Sequence, residues 1–259
     1  MNIANSYNAD DMRRLAKKKL PSPVFHYIDG GSDDEVTYRN NTESFKNYQL
    51  IPNVLTDVSK VDTTISILGS NLDIPFFCSP TALQKLFHYQ GELAVARAAQ
   101  RQGTMFGVSS LSTVSVEDIA TSINSPKLFQ LYYHKDKALN ENMIYRAKEA
   151  KFDALALTVD TAVGGNRERD LRTGFTIPPK LTFRSLLSFL LHPEWTFNFI
   201  FRKFDLPHLS NHHKQGSSIK ISVGEYFTEM IDQTMTWNDA ENLRKKWDGP
   251  FCLKGCNER

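Results

Sequence analysis

Five short apolar runs in this sequence end in groups able to bind or react. They are PFFCS (75–79) followed by Pro80-Thr81, MFGVS (105–109) ending in Ser109-Ser110, KLFQLYY (127–133) with Gln130 and Tyr132, ALALTVD (154–160) with Thr158 and Asp160, and PFCLK (250–254) closing on Lys254. Hydroxyls, an amide, a phenol, a carboxylate and an ammonium placed at one mouth would form a site. Taken singly, Ser, Gln and Thr at strand ends cap helices or satisfy loops. A lysine ending an apolar strand can be a surface residue whose stem lies along the protein. If desolvated, it can instead be a Schiff-base nucleophile.

The elements that must hold these groups follow from the pattern. From Pro75 onward the apolar runs alternate with amphipathic stretches at 91–103, 115–123, 137–151 and 222–247, the signature of repeated βα units and a parallel sheet. Residues 115–123 open with a Ser-x-x-Asp capping box. In a (β/α)8 TIM barrel the chemistry sits at the C-terminal ends of the strands, where all five groups fall. A doubly wound sheet would carry a glycine-rich phosphate loop after its first strand, and neither G-x-G-x-x-G nor G-x-x-x-x-G-K occurs. The barrel is therefore the expected fold, here as about the first five βα units. Before it, helices are expected from Asn8 to Leu20, from Pro23 to Asp29 and from near Asp33, then a hairpin over 64–74. We expect one incomplete domain over 1–259: a helical preface and hairpin at 1–74, and a partial barrel at 75–259 with an insertion at about 175–217.

Inside that insertion, LTFRSLLSFLLHPEWTFNFIFRKF (181–204) interleaves aromatic and leucine residues with Arg184, His192, Arg202 and Lys203. Such a segment suits a membrane interface; a lid or a subunit contact is the alternative.

Composition narrows the class. The 259 residues carry 31 basic and 29 acidic side chains, 41% apolar and 11% aromatic residues, which excludes a disordered chain and gives no basic surface for nucleic acid. Cys78, Cys252 and Cys256 form neither a disulfide framework nor a zinc pattern, so no metal site is expected. The N-terminus lacks the apolar core of a signal peptide and no run of eighteen apolar residues exists, so a cytoplasmic location is expected, with peripheral contact at the inner face of the membrane.

Seven strings in order sharpen the picture: Tyr27 in FHYIDGG, SPTALQK (79–85), VSSLST (108–113), FQLYY (129–133), LTVDT (157–161), NRERD (166–170) and LKG (253–255). Together they resemble the FMN-dependent 2-hydroxy acid dehydrogenase and oxidase family, from about residue 8 to Gly255. The resemblance implies FMN as cofactor, with the flavin packed on the Pro80-Thr81-Ala82 backbone. Ser109, Gln130 and Thr158 would hydrogen-bond its edge, and Lys254 would lie beside N1 and O2 to stabilise arriving negative charge. It implies that Arg167, with its guanidinium fork, binds the substrate carboxylate, aided by Tyr27 and Tyr132. With Arg169 and Arg172 close by, a generic charged loop is the plain reading of Arg167. Asp160 would orient and charge a catalytic histidine.

That histidine belongs to a Ser-Asn-His-x-x-Arg motif after a later strand, and the sequence ends at Arg259 before it. The Gly-Gly-x-Arg phosphate segment and the last three βα units would also lie beyond. Ser210-Asn211-His212, followed by His213, imitates the motif but precedes the lysine strand and has no arginine three positions on, so it is read as coincidence. Within the resemblance, Leu111 and Ala82 imply a short aliphatic substrate, and the insertion resembles the loop of membrane-associated bacterial dehydrogenases that pass electrons to quinone. The expected function is oxidation of an L-2-hydroxy acid, foremost L-lactate to pyruvate, by a protein that is a homo-oligomer at full length. The alternatives are a Schiff-base aldolase using Lys254 and a catalytically inactive fragment that lacks the base.

Overall fold

The computed structural model describes residues 3–175, 183–202, 204–209 and 229–256. The chain divides into two compact units, Met1–Thr63 with Gly165–Pro193 and Thr64–Gly164 with Glu194–Arg259.

The first unit is helical. Helix α1 (Ala9–Lys19) is capped by Asn8, whose Oδ1 accepts the Asp11 N–H at 2.8 Å, and it ends at Leu20, held extended before Pro21. Helix α2 (Ser22–Asp29) carries a proline in its first turn and buries Pro23, Val24 and Phe25. Helix α3 (Val36–Glu43) starts three residues later than Asp33, because Asp33 and Glu35 both take left-handed φ values, 48° and 57°, which a helix cannot contain.

The second unit holds the sheet. Strands β1 (Ile65–Ile67) and β2 (Ser70–Leu72) form the expected antiparallel hairpin. Then come α4 (Glu92–Arg101), β3 (Phe106–Ser109), α5 (Val116–Ser122), β4 (Lys127–Tyr132), α6 (Lys137–Glu149) and β5 (Ala154–Thr158). In the first unit, α7 (Glu168–Thr173) packs on α2, and the Ser188 hydroxyl of α8 (Phe183–Leu190) accepts the Ser22 N–H at 2.8 Å. The second unit resumes with most of α9 (Pro193–Phe201), then α10 (Trp237–Lys246) and β6 (Phe251–Lys254). The proline at 193 ends one insertion helix and begins the next.

Strands β3, β4, β5 and β6 pair in parallel in that order, each step crossing through helix, as a partial (β/α) barrel requires. Two expectations need correction. The run at 75–79 is no full strand: Cys78 makes one parallel bridge to Phe106, its N–H donating to the Met105 carbonyl and its carbonyl accepting from Gly107. The flanking prolines, Pro75 and Pro80, lack the donors a longer ladder needs. The stretch at 222–247 is not one continuous helix: residues 230–236 lie outside helical structure, and α10 begins at Trp237, where Thr236 and Asp239 close a capping box; residues 210–228, His212 and His213 among them, lie outside the described residues. The box at Ser115 is half made, its hydroxyl accepting the Asp118 N–H at 3.1 Å.

Alternation assigns the two sheet faces. Phe106, Val108, Phe129, Leu131, Leu155 and Leu157 are fully buried on the side of the crossover helices. On the other side, Leu128, Ala154 and Ala156 pack with Leu72 of the hairpin, Met105, Ile67, Leu68 and Phe77. The hairpin therefore plugs the lower end of that face. Among the described residues no helix is long and apolar enough to cross a membrane.

Candidate functional site

Register places the polar groups. Ser109 pairs with Gln130, Tyr132 pairs with Thr158, and Thr158 pairs with Lys254. Partners in a parallel ladder point to the same face, and residues two apart on a strand do so too. Ser109, Gln130, Tyr132, Thr158 and Lys254 thus form one row at the C-terminal ends of four strands, above the face that the hairpin plugs. Gln130 and Thr158 are buried and joined, the amide Nε2 donating to the Thr158 hydroxyl at 2.7 Å. Lys254 is exposed at the outer strand, which is not the desolvated setting that a Schiff-base lysine needs.

Asp160 follows β5 and lies against the backbone just past Lys254: a Cβ on Gly255 would meet the Asp160 Cγ at 2.3 Å. Gly255 has φ of +102°, so both its conformation and the packing of Asp160 exclude a larger residue. Burial raises the Tyr132 phenol above its ordinary value, and the charge of Asp160 adds to the effect. Tyr132 is therefore a protonated hydrogen-bond donor at neutral pH.

Pro80 lies on β3 at a point where a Cβ on Gly107 would be 2.8 Å from the Pro80 nitrogen. Only glycine allows that approach. Thr81 is exposed and Ala82 half-buried in the loop that follows. The loop is held from below by Glu92, a fully buried carboxylate that accepts the Gln84 N–H at 3.2 Å, the Thr113 N–H at 2.8 Å and the Thr113 hydroxyl at 2.6 Å. Gln84 in turn donates its side-chain amide to the Thr81 carbonyl. Glu92 went unrecognised in the sequence, where it reads as an ordinary first-turn acid of an amphipathic helix.

In the first unit the structure brings Tyr27 and Arg167 together. The Arg167 Nη2 donates to the Tyr27 carbonyl, its Nε donates to Asp170 at 2.6 Å, and its guanidinium stands 5.1 Å from the Tyr27 ring centroid. Tyr27 stacks on Phe175 at 4.4 Å between centroids. Two corners of the guanidinium are tethered, Nε and Nη2. Arg169 and Arg172 are different: the first bridges Asp29 and Glu35, the second pairs with Glu168. Asp170 also escaped the sequence reading, although its spacing of three from Arg167 on a helix was the available signal. Burial raises its carboxyl above the usual range, against the lowering effect of Arg167.

Residues 16–259 match the FMN-dependent dehydrogenase family. The chain belongs to that family. It is 35% identical to glycolate oxidase 1 of Oryza sativa over 96% of its own length and 62% of that protein's. It is 35% identical to an L-lactate dehydrogenase of Alcaligenes faecalis, covering 96% of this chain and 65% of the relative. A crystal structure of the monotopic membrane protein (S)-mandelate dehydrogenase superposes with a TM-score of 0.88 at 31% identity, over 97% of this chain and 67% of that one. The chain spans about three-fifths of the length of the curated relatives it matches.

The cofactor of this family is FMN, and the donor set on the sheet fits it. A flavin ring edge carries alternating nitrogen and oxygen atoms. The row opposes to them two hydroxyls, an amide and an ammonium at adjacent strand ends. Among the described residues no group of histidine, cysteine and acidic side chains could hold a metal.

Proposed function

We propose that the protein takes part in FMN-dependent oxidation of an L-2-hydroxy acid, with L-lactate as the preferred substrate and pyruvate as the product. The row of strand-end donors ending in Lys254 carries this reading. Bound there, FMN supplies the two-electron acceptor. The protein's own residues supply binding and charge. Ser109, Gln130 and Thr158 hydrogen-bond the flavin edge, the Pro80-Thr81-Ala82 backbone forms its bed, and the Lys254 ammonium stabilises negative charge that develops beside it. Arg167, held by Asp170 and the Tyr27 carbonyl, presents its remaining donors to the acid's carboxylate. Tyr27 and Tyr132 add hydrogen bonds, Tyr132 as a protonated phenol. Asp160 stabilises the positive charge of a histidine base in the family's Ser-Asn-His-x-x-Arg motif.

The relatives named for lactate, glycolate and mandelate chemistry bracket the substrate. Leu111 is a buried aliphatic residue and favours a short side chain on the acid. Rates of flavin bleaching with L-lactate, glycolate and (S)-mandelate, measured in the protein joined to the remaining part of the family barrel, test the assignment. L-lactate is expected to exceed the other two by about tenfold or more in kcat/KM, on the order of the 1–3 kcal/mol one pocket contact supplies. A preference for mandelate would overturn the substrate, and failure of all three acids would overturn the reaction.

Exposed apolar residues on α8 (Phe183, Leu186, Leu187, Leu190) and on α9 (Phe197, Ile200, Phe201) support seating of this segment on a membrane, with quinone as electron acceptor. The monotopic membrane relative supports the membrane seating.

A further inference from the structure

Strand β3 stops one residue before its neighbour needs it to. The paired register of β3 and β4 ends at Ser109 with Gln130, yet β4 runs on to Tyr132. The chain turns away because the Ser109 hydroxyl accepts the Leu111 N–H at 3.1 Å and the Ser109 carbonyl accepts the Ser112 N–H at 2.9 Å. Ser110, fully buried, bridges the gap. Its N–H donates to the Gln130 carbonyl at 2.8 Å, which is still a ladder rung. In a continued parallel ladder the next rung would run from the Tyr132 N–H to the Ser110 carbonyl. Instead the Tyr132 N–H donates to the Ser110 hydroxyl oxygen at 3.2 Å.

We propose that Ser110 is a positioning residue whose hydroxyl, taking the place of a ladder carbonyl, fixes the backbone of Tyr132 and with it the direction of the phenol over the polar row. Gln130 is held by the Ser110 backbone, so the side chain acts on Tyr132 alone. An N–H that loses its acceptor must shift or find another partner, and Tyr132 is the last residue of its strand, paired on its other side with Thr158 of β5. The consequence for catalysis rests on the 2-hydroxy acid reading given above; the backbone consequence does not.

Two variants separate the acceptor from the volume it fills. Ser110→Ala removes the oxygen, and Ser110→Cys keeps a side chain of similar size with a much weaker acceptor. Amide hydrogen exchange followed by NMR is expected to show the Tyr132 N–H exchanging at least tenfold faster in both variants, with Phe129 and Leu131 unchanged. In the protein completed with the rest of the family barrel, the KM for the acid is expected to rise by about tenfold while FMN affinity stays within a factor of two. Wild-type exchange at Tyr132 in either variant would overturn the proposal, as would loss of FMN affinity in step with the acid. If the wild-type protein takes up no FMN, the functional reading fails, and the exchange measurement still decides the role of Ser110.

Discussion

A guanidinium binds a carboxylate well only when its plane is fixed beforehand, and Arg167 is fixed by Asp170 at 2.6 Å and by the Tyr27 carbonyl. Asp170→Asn keeps the shape and removes the charge that holds Nε. We expect KM for the 2-hydroxy acid to rise by about tenfold, roughly 1.4 kcal/mol, with FMN affinity unchanged. Steady-state kinetics check this, and an unchanged KM would show that Arg167 does not depend on its neighbour. Arg169 and Arg172 are engaged in ion pairs of their own, so replacing Arg172 by Gln serves as the control with no expected effect. Types and order of residues singled out Arg167, Lys254 and Tyr132 in the sequence as candidates, and the register sets Tyr132 and Lys254 on either side of Thr158. Their partners were not, because Asp170 and Glu92 look like any helix-surface acid until burial is known.

Elements were legible where a local rule decided them. Asn8 and Ser115 each cap the helix their position announces, and four parallel strands lie within a residue or two of the apolar runs that named them. The run at 75–79 misled because apolar content does not report whether the backbone can donate, and its two prolines reduce pairing to a single bridge. Among its described residues the insertion forms α8 and α9, with Trp195 of α9 donating its indole N–H to the Leu86 carbonyl at 2.7 Å and Arg202 standing 4.3 Å from the Tyr89 ring centroid. With those polar tips engaged, Phe197, Ile200 and Phe201 remain outward. Flotation with vesicles of mixed neutral and anionic lipid is expected to carry the protein to the lipid layer. Replacing Phe197, Ile200 and Phe201 by Ser should reduce the floated fraction by about tenfold or more, since each buried large apolar side chain contributes roughly 1.5–3 kcal/mol. Protein that stays in the aqueous layer from the start would assign the segment to a lid or a subunit contact.

At the level of the whole molecule, burial sets the response to acid. His134 and His208 are both held near neutral imidazole by desolvation, their values lowered to about 4. His134 hydrogen-bonds Asn140, and His208 lies 3.0 Å from the Ser112 hydroxyl with Arg146 and Glu117 as the charges that act on it. The unfolded chain binds protons at these residues near 6.5 and the folded chain does not until about 4. Their effect on stability is therefore absent above about 6.5, and stability falls as pH drops from there toward 4, by roughly 3 kcal/mol per histidine at most. The urea midpoint should drop between pH 7.5 and pH 5, and His208→Gln should flatten that drop; an equal drop in the variant would remove His208 from the account. Equilibrium titration of the purified protein with FMN, followed by quenching of flavin fluorescence, is the decisive test of the row of strand-end donors. One saturable site is predicted, weakened at least tenfold by Gln130→Leu and by Lys254→Met in proteins that keep the wild-type circular dichroism. Absence of binding, or binding indifferent to both substitutions, would contradict it.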